Sequence, residues 1–186
     1  GGLSERTLVA IAGHDHVAAA LAVGAIAPGL VYDSMGTAET LVGTLPEKEL
    51  TRDEFNSGLS FGVHIAPGRY FWMGGQSASG GSVEWLRGVL GEPALTYDEV
   101  LALGAQAKEG PTGILYFPYL TGSGAPLPDS RARAAFVGVA KTHGRADLLK
   151  AALEGTAYQL EMVKRSAERI AGSPIERLLV VGGGTR

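Results

Sequence analysis

Four segments of this 186-residue chain carry residue types that could hold a phosphate or move a proton. The first is Gly13-His14-Asp15-His16, directly after the apolar run Leu8-Val9-Ala10-Ile11-Ala12. A carboxylate at the carboxyl end of a buried strand faces the crevice where α/β sheets bind ligands. There it can take the proton of a hydroxyl that attacks phosphorus. Asp15 could equally do no more than cap the helix after it, and spacing alone favours the cap, because capping aspartates are common. His14 and His16, two apart at a strand-to-loop junction, are expected to point in opposing directions, which disfavours a shared metal ion.

The other three segments are rich in glycine. In Asp33-Ser34-Met35-Gly36-Thr37-Ala38-Glu39 a Gly-Thr turn offers an unblocked amide and a hydroxyl to a phosphate oxygen, or is simply a hairpin turn. Glu39 there reads as a solvated or paired strand residue. Ser79-Gly80-Gly81-Ser82-Val83-Glu84-Trp85 opens a helix, whose free amides and dipole would suit an anion. The alternative is a plain entry turn with Trp85 anchored in the core. Val180-Val181-Gly182-Gly183-Gly184-Thr185 puts three glycines after an apolar run, which removes every side chain that could block a flat ligand or a phosphate. It lacks the spacing of the dinucleotide fingerprint.

The elements that must position these segments follow from periodicity. Leu8–Ala12 reads as a buried strand, with a helix from His16 to about Ala25 after it. Strands are expected at Leu30–Ser34 and Glu39–Thr44, and a hairpin at Leu59–Ile65 and Tyr70–Gly74 turns at Pro67-Gly68. A helix ending near Leu90 would bury Val83, Leu86, Val89 and Leu90, and a second runs over Tyr97–Lys108 behind a Thr96 cap. Short strands at Gly113–Phe117 and Phe136–Ala140 bracket a loop at Pro118–Pro128. The longest helix, Arg145–Ala171, carries Leu149, Leu153, Leu160 and Val163 on its apolar side and stops at Gly172-Ser173-Pro174. Leu178–Val181 is the last buried strand. A chain that opens into one buried strand and ends on a glycine turn after another reads as an internal piece of a longer protein.

Composition narrows the classes. Hydrophobic residues make up 45% and charged residues 19%, which suits one folded domain, while 28 glycines stand out. A net charge of -3 without a basic cluster argues against nucleic acid as a partner. With no cysteine, disulfides and thiolate metal sites are excluded. No apolar stretch is long enough to span a bilayer, so no membrane role is expected, and a cytoplasmic location is.

Taken together and in this order, the segments resemble the carboxy-terminal lobe of the FGGY carbohydrate kinases. The matching pieces are the four above, extended to Gly80–Arg87, together with Phe117-Pro118-Tyr119-Leu120, Ala135-Phe136-Val137-Gly138 and Leu153-Glu154-Gly155-Thr156-Ala157-Tyr158. The resemblance covers nearly the whole chain. It implies an α/β fold, the actin-like, ribonuclease H-like lobe with a mixed β-sheet flanked by helices. It also implies ATP-dependent phosphorylation of a sugar or polyol hydroxyl, with magnesium. Asp15 matches the catalytic base, which reverses the odds set by spacing. Gly36 and Thr37 match the turn on the ATP phosphates, Gly80 and Glu84 a nucleotide-side position, and Gly183 and Gly184 the glycines beside adenosine.

The same resemblance implies what is missing: the amino-terminal lobe with an early phosphate loop, most sugar contacts and the magnesium-side carboxylate, and the helix after Gly184. Residues 1–186 are then one carboxy-terminal lobe, incomplete at both ends and inactive alone. A ketose (pentulose or hexulose) is the first expected substrate and a polyol the second, since Gly-Thr-Ala-Glu differs from the turn associated with glycerol kinases. Two other readings are an actin-like ATP-binding module working as a conformational switch, and a structural domain that forms a homodimer. The Gly-His-Asp-His segment and the proline-rich loop speak against the switch.

Overall fold

The computed structural model describes residues 2, 4–8 and 11–185. Its elements run α1 (Asp15–Ala22), β1 (Leu30–Met35), β2 (Glu39–Pro46), α2 (Arg52–Asn56), β3 (Ser60–Val63) and β4 (Arg69–Gln76). Then come α3 (Gly80–Leu90), α4 (Tyr97–Gly104), β5 (Leu115–Phe117), β6 (Ala135–Val137), α5 (Arg145–Ala171) and β7 (Arg177–Val181), with a 3-10 turn over Gly183–Thr185.

Five strands form one sheet in the order β3-β4-β2-β1-β7, and β5 pairs with β6 separately. Only β1 and β7 are parallel; the other neighbours are antiparallel, so the sheet is mixed. Alternation along the strands sends Val31, Leu41, Leu45 and Trp72 to one face, where Val163 and Ala167 of α5 cover them. Tyr32 and Val42 point the other way, against Val17 and Ala20 of α1. A third cluster joins Leu86 of α3, Val100 of α4, Tyr116 of β5 and Leu149 of α5. Each fully buried valine or leucine contributes about 1.5–3 kcal/mol.

The helix limits have local causes. α5 begins where the Asp147 carboxylate accepts from the Gly144 N–H at 2.8 Å, and it ends at Gly172 with φ 68°. Thr96 and Glu99 form a capping box at α4, as do Thr51 and Glu54 at α2. The second box marks a short helix that the hydrophobic periodicity does not indicate; its signal in the sequence is the Thr-x-x-Glu spacing.

Four expectations change. Leu8 and Ile11 are 96% and 97% exposed and lie in no strand, because neither sheet edge pairs with this run among the described residues; Val9 and Ala10 lie outside them. Val89 and Leu153 are 58% and 51% exposed, so their places on the apolar stripes do not bury them. Trp85, at 41% exposure, is no core anchor: Leu86 fills the core from the next position. No helix among the described residues is long and apolar enough to cross a membrane.

Candidate active site

Strand direction brings three glycine segments to one place. β1 and β7 run parallel with Ser34 opposite Val181, so the turns that leave their carboxyl ends are neighbours. β4 is antiparallel to β2, which is antiparallel to β1, so Gln76 ends β4 at the same edge and the chain enters α3 there. Together these turns line a cleft of about 1050 Å³. Gly36, Thr37, Gly80, Glu84, Gly183 and Gly184 all border it, with Met35, Trp85, Tyr97 and Leu153 as its larger apolar walls.

The turns are locked together by backbone. The N–H groups of Gly80 and Gly81 donate to the carbonyls of Gly36 and Thr37, each at 3.0 Å. A Cβ on Gly80 would lie 2.6 Å from the Gly36 oxygen, so only glycine permits this approach. The amides expected to be free for an anion at the start of α3 are therefore already taken. Gly36 N–H is also engaged, by the Ala38 carbonyl at 2.9 Å. Gly182 turns the chain at φ 112°, while a Cβ on Gly183 would meet nothing within 4 Å.

Glu84 sits on the rim. Its Oε2 accepts from Tyr97 Oη at 2.8 Å and Arg87 Nη1 at 2.6 Å, and the guanidinium lies 4.2 Å over the Tyr97 ring. The Tyr97 bond first and Arg87 second hold its carboxyl below the usual glutamate range. These bonds tie α3 to α4 and hold the Tyr97 ring at the cleft wall.

Asp15 lies in a second, shallower cleft of about 700 Å³. Ala38 and Thr40 line this cleft, while Gly36 and Thr37 line the first, so the start of β2 is the partition between them. The helix cap is His14, and Asp15 is the first helical residue. Its side chain is 86% exposed, with Oδ1 2.9 Å from His14 Nδ1 and accepting from the His16 N–H at 2.8 Å. That N–H, ahead of the neighbouring His16 and His14 side chains, holds the carboxyl below the ordinary aspartate range, so it is ionised at neutral pH. The two histidine rings do not diverge; they stack at 5.6 Å and 19°, because the helix starts at Asp15 and turns His16 back over His14.

Beneath both clefts lies a buried polar floor that sequence reasoning missed. Glu39 is 4% exposed, not solvated, and its Oε2 accepts from Ser79 Oγ at 2.7 Å and Gln76 Nε2 at 3.0 Å. Asp33, 1% exposed on the same sheet face, has no partner for Oδ1. Burial first, and the Glu39 charge second, push its carboxyl up to about 7. The alternation around Asp33, with Val31 and Leu41 on one face, was the available signal that Asp33 points inward.

Neither cleft is lined by a lysine or an arginine. Among the described residues no group of three or more His, Cys, Asp or Glu could hold a metal ion. This half-site can thus seat a ligand against bare backbone and offer it a hydroxyl and a nearby carboxylate.

Comparison with known proteins gives the family. Residues 31–186 match the model of the C-terminal domain of the FGGY family of carbohydrate kinases. The chain is 32% identical over 184 residues to a xylulose kinase from Lactococcus lactis, covering 99% of this chain and 36% of that protein. It is 34% identical over 173 residues to a glycerol kinase from Gloeobacter violaceus, covering 92% and 34%. Among solved structures, a xyloylose kinase from Brucella ovis superposes with a TM-score of 0.81 at 26% identity, over 92% of this chain and 34% of that one. The xylulose kinase from Rhodospirillum rubrum gives 0.75 at 29%, again over 92% and 34%. The chain therefore spans about a third of the length of the curated relatives it matches. The mixed sheet with helices on both faces is the actin-like, ribonuclease H-like lobe. With the family model matching residues 31–186, the chain belongs to the FGGY family of carbohydrate kinases, through its carboxy-terminal domain.

Proposed function

We propose that the intact protein transfers the terminal phosphoryl group of ATP to a sugar hydroxyl, with this chain supplying the base and part of the nucleotide site. The observation that carries this reading is the shared partition. The Gly36–Thr37 turn faces the glycine cleft, and the next residues, Ala38 and Thr40, face Asp15. A nucleotide seated against Gly183 and Gly184, with its phosphates toward Thr37, would direct its terminal phosphate to the Asp15 side.

The cleft suits ATP. Its volume is that of a nucleotide site, its turns present Gly36, Gly80, Gly81, Gly183 and Gly184, and Trp85 and Tyr97 offer flat apolar walls to a base. Magnesium usually keeps several waters and binds through substrate phosphates and one or two carboxylates, so a site without a three-ligand cluster is compatible with it. When bound, magnesium would neutralise phosphate charge; its protein ligands would lie on the opposite wall, in an amino-terminal lobe outside this chain. Asp15 takes the proton as the sugar oxygen bonds to the γ-phosphorus and the bond to the leaving ADP oxygen breaks. In a largely dissociative transfer the hydroxyl loses its proton late, so a carboxylate with a low pKa is an adequate acceptor. Lobe closure over an exposed Asp15 would exclude water.

Relatives named xylulose kinase favour a ketose, a pentulose before a hexulose, and those named glycerol kinase keep a polyol as the second substrate class. A cytoplasmic location goes with a supply of ATP. The chain alone is expected to be inactive, since transfer needs charge neutralisation from both sides of the cleft. The test is ADP release by the intact protein across pentuloses, hexuloses and polyols. Strong stimulation by one ketose supports the reading, and ATP turnover indifferent to every acceptor contradicts it.

A further inference from the structure

Glu39 stands where the two clefts meet. It is the first residue of β2, directly after the Gly36–Thr37 turn, and it is opposite Met35 on β1 and Gln76 on β4. One carboxylate oxygen collects both donors: Ser79 Oγ at 2.7 Å and Gln76 Nε2 at 3.0 Å. Ser79 lines the glycine cleft, and Gln76 lines the Asp15 cleft. Gln76 Nε2 also donates to the Thr156 carbonyl of α5 at 3.0 Å, so β2, β4, α5 and the entry to α3 converge on this point. Ser79 is the N-cap position of α3 yet makes no capping bond; its hydroxyl is turned to Glu39 instead. None of the ion pairs among the described residues involves Glu39, so neutral donors alone satisfy it.

A buried charge held this way contributes little to stability, and an apolar residue of similar size would often be as stable. What such a group can supply is a fixed geometry, because removing one partner leaves the other unpaired and the arrangement has few alternatives. Here the fixed objects are the phosphate turn, through Ser79 and the Gly80 N–H bond to Gly36, and the floor beside Asp15, through Gln76.

We propose that Glu39 is a positioning residue that holds the phosphate turn and the floor of the Asp15 cleft at a set separation. Through it, the terminal phosphate and the acceptor hydroxyl are kept in line. Glu39 touches neither reactant. The inference rests on the kinase reading above and adds to it a residue whose loss should slow the transfer step more than it weakens either substrate.

The test uses the intact protein with Glu39→Leu, Glu39→Gln, Ser79→Ala and the Glu39→Leu/Ser79→Ala double variant. Turnover, both KM values, ATP affinity by titration and the melting temperature are measured for each. A misplacement of about 1 Å lowers transfer on the order of a hundredfold, so Glu39→Leu is expected to lose ten- to a hundredfold in kcat, with both KM values within about threefold of the parent. Glu39→Gln keeps an acceptor oxygen for Ser79 and should recover most of that loss. Ser79→Ala should cost several-fold, and the double variant should be no worse than Glu39→Leu alone, because both cut one link. A merely structural carboxylate would lower the melting temperature and leave kcat per folded molecule unchanged. Should Glu39→Leu not fold, Ser79→Ala carries the decision, and full turnover in it overturns the proposal. A parent with no sugar-dependent ADP release removes the kinase reading and this inference with it. An active parent whose Ser79→Ala or Glu39→Leu variant, per folded molecule, is equally active removes this inference alone.

Discussion

The two clefts are built on opposite plans. The glycine cleft is made of backbone: three turns leave parallel strand ends, and Gly80 and Gly81 are bonded to Gly36 and Thr37 with a buried polar floor below. The Asp15 cleft is shallower, and its chemistry rests on one side chain that is 86% exposed at the first residue of an eight-residue helix. The bonds between the Gly36–Thr37 and Gly80–Gly81 turns fix those two turns against each other. An exposed carboxylate competes with water and gains strength only when water is driven out. Under the proposed function, this difference would give rigidity to nucleotide binding and leave conformational closure to the proton transfer.

Four variants of the intact protein break or sharpen this contrast. The largest effect is expected from Asp15→Asn, which should lower sugar turnover on the order of a hundred- to ten-thousand-fold while ATP affinity stays near that of the parent. Near-normal turnover would show that another group takes the proton. Gly183→Val comes next. A Cβ there meets nothing within 4 Å, so the protein should fold normally, and the branched side chain should intrude on the nucleotide. Overpacking of about 1–3 kcal/mol corresponds to roughly a ten- to hundredfold rise in the KM for ATP. An unchanged KM removes Gly183 from the nucleotide site.

The third variant tests the floor. Asp33 in the folded state keeps a proton up to about 7 that the unfolded chain releases near 3.8, so stability falls as pH rises across that window. Asp33→Asn abolishes that loss. The melting temperature of the variant minus that of the parent should therefore climb between about pH 4 and about pH 8. A difference that does not vary with pH contradicts a buried, proton-holding Asp33. The smallest effect is expected from Glu84→Ala. Its carboxylate is already engaged by Tyr97 and Arg87 and is 59% exposed, so the melting temperature should barely move and the KM for ATP should change by at most about fivefold. A collapse of ATP binding in this variant would make Glu84 a direct contact.

What could be read from the residues divides along the same line. Both ends of α5 and the Thr96 cap of α4 were legible, because caps and a 3.6-residue period are local. So was the set of glycine turns, whose meeting in space nevertheless depends on β1 and β7 being parallel, a pairing between residues far apart in the chain. The inward turn of Glu39 was not legible, since a strand of Glu, Thr and Leu gives no sign that Ser79 and Gln76 will close over its first residue. Leu153 falls on the apolar stripe of α5, and a core anchor is one of two readings of Trp85, yet both border the glycine cleft and are partly exposed. Nor could the sequence indicate that the amides of Gly80 and Gly81 would bond to the adjacent turn, because a helix start looks the same whichever acceptor it meets.

Where a nucleotide's last phosphate points decides whether Asp15 can serve the transfer. A crystal structure of the intact protein with a non-hydrolysable ATP analogue and a ketose measures this directly. The expected result has adenosine against Gly183 and Gly184, phosphate oxygens at the Thr37 hydroxyl, and the γ-phosphorus facing a sugar hydroxyl within hydrogen-bond reach of Asp15. A nucleotide seated away from the glycine turns, or a terminal phosphate directed away from Asp15, would contradict it.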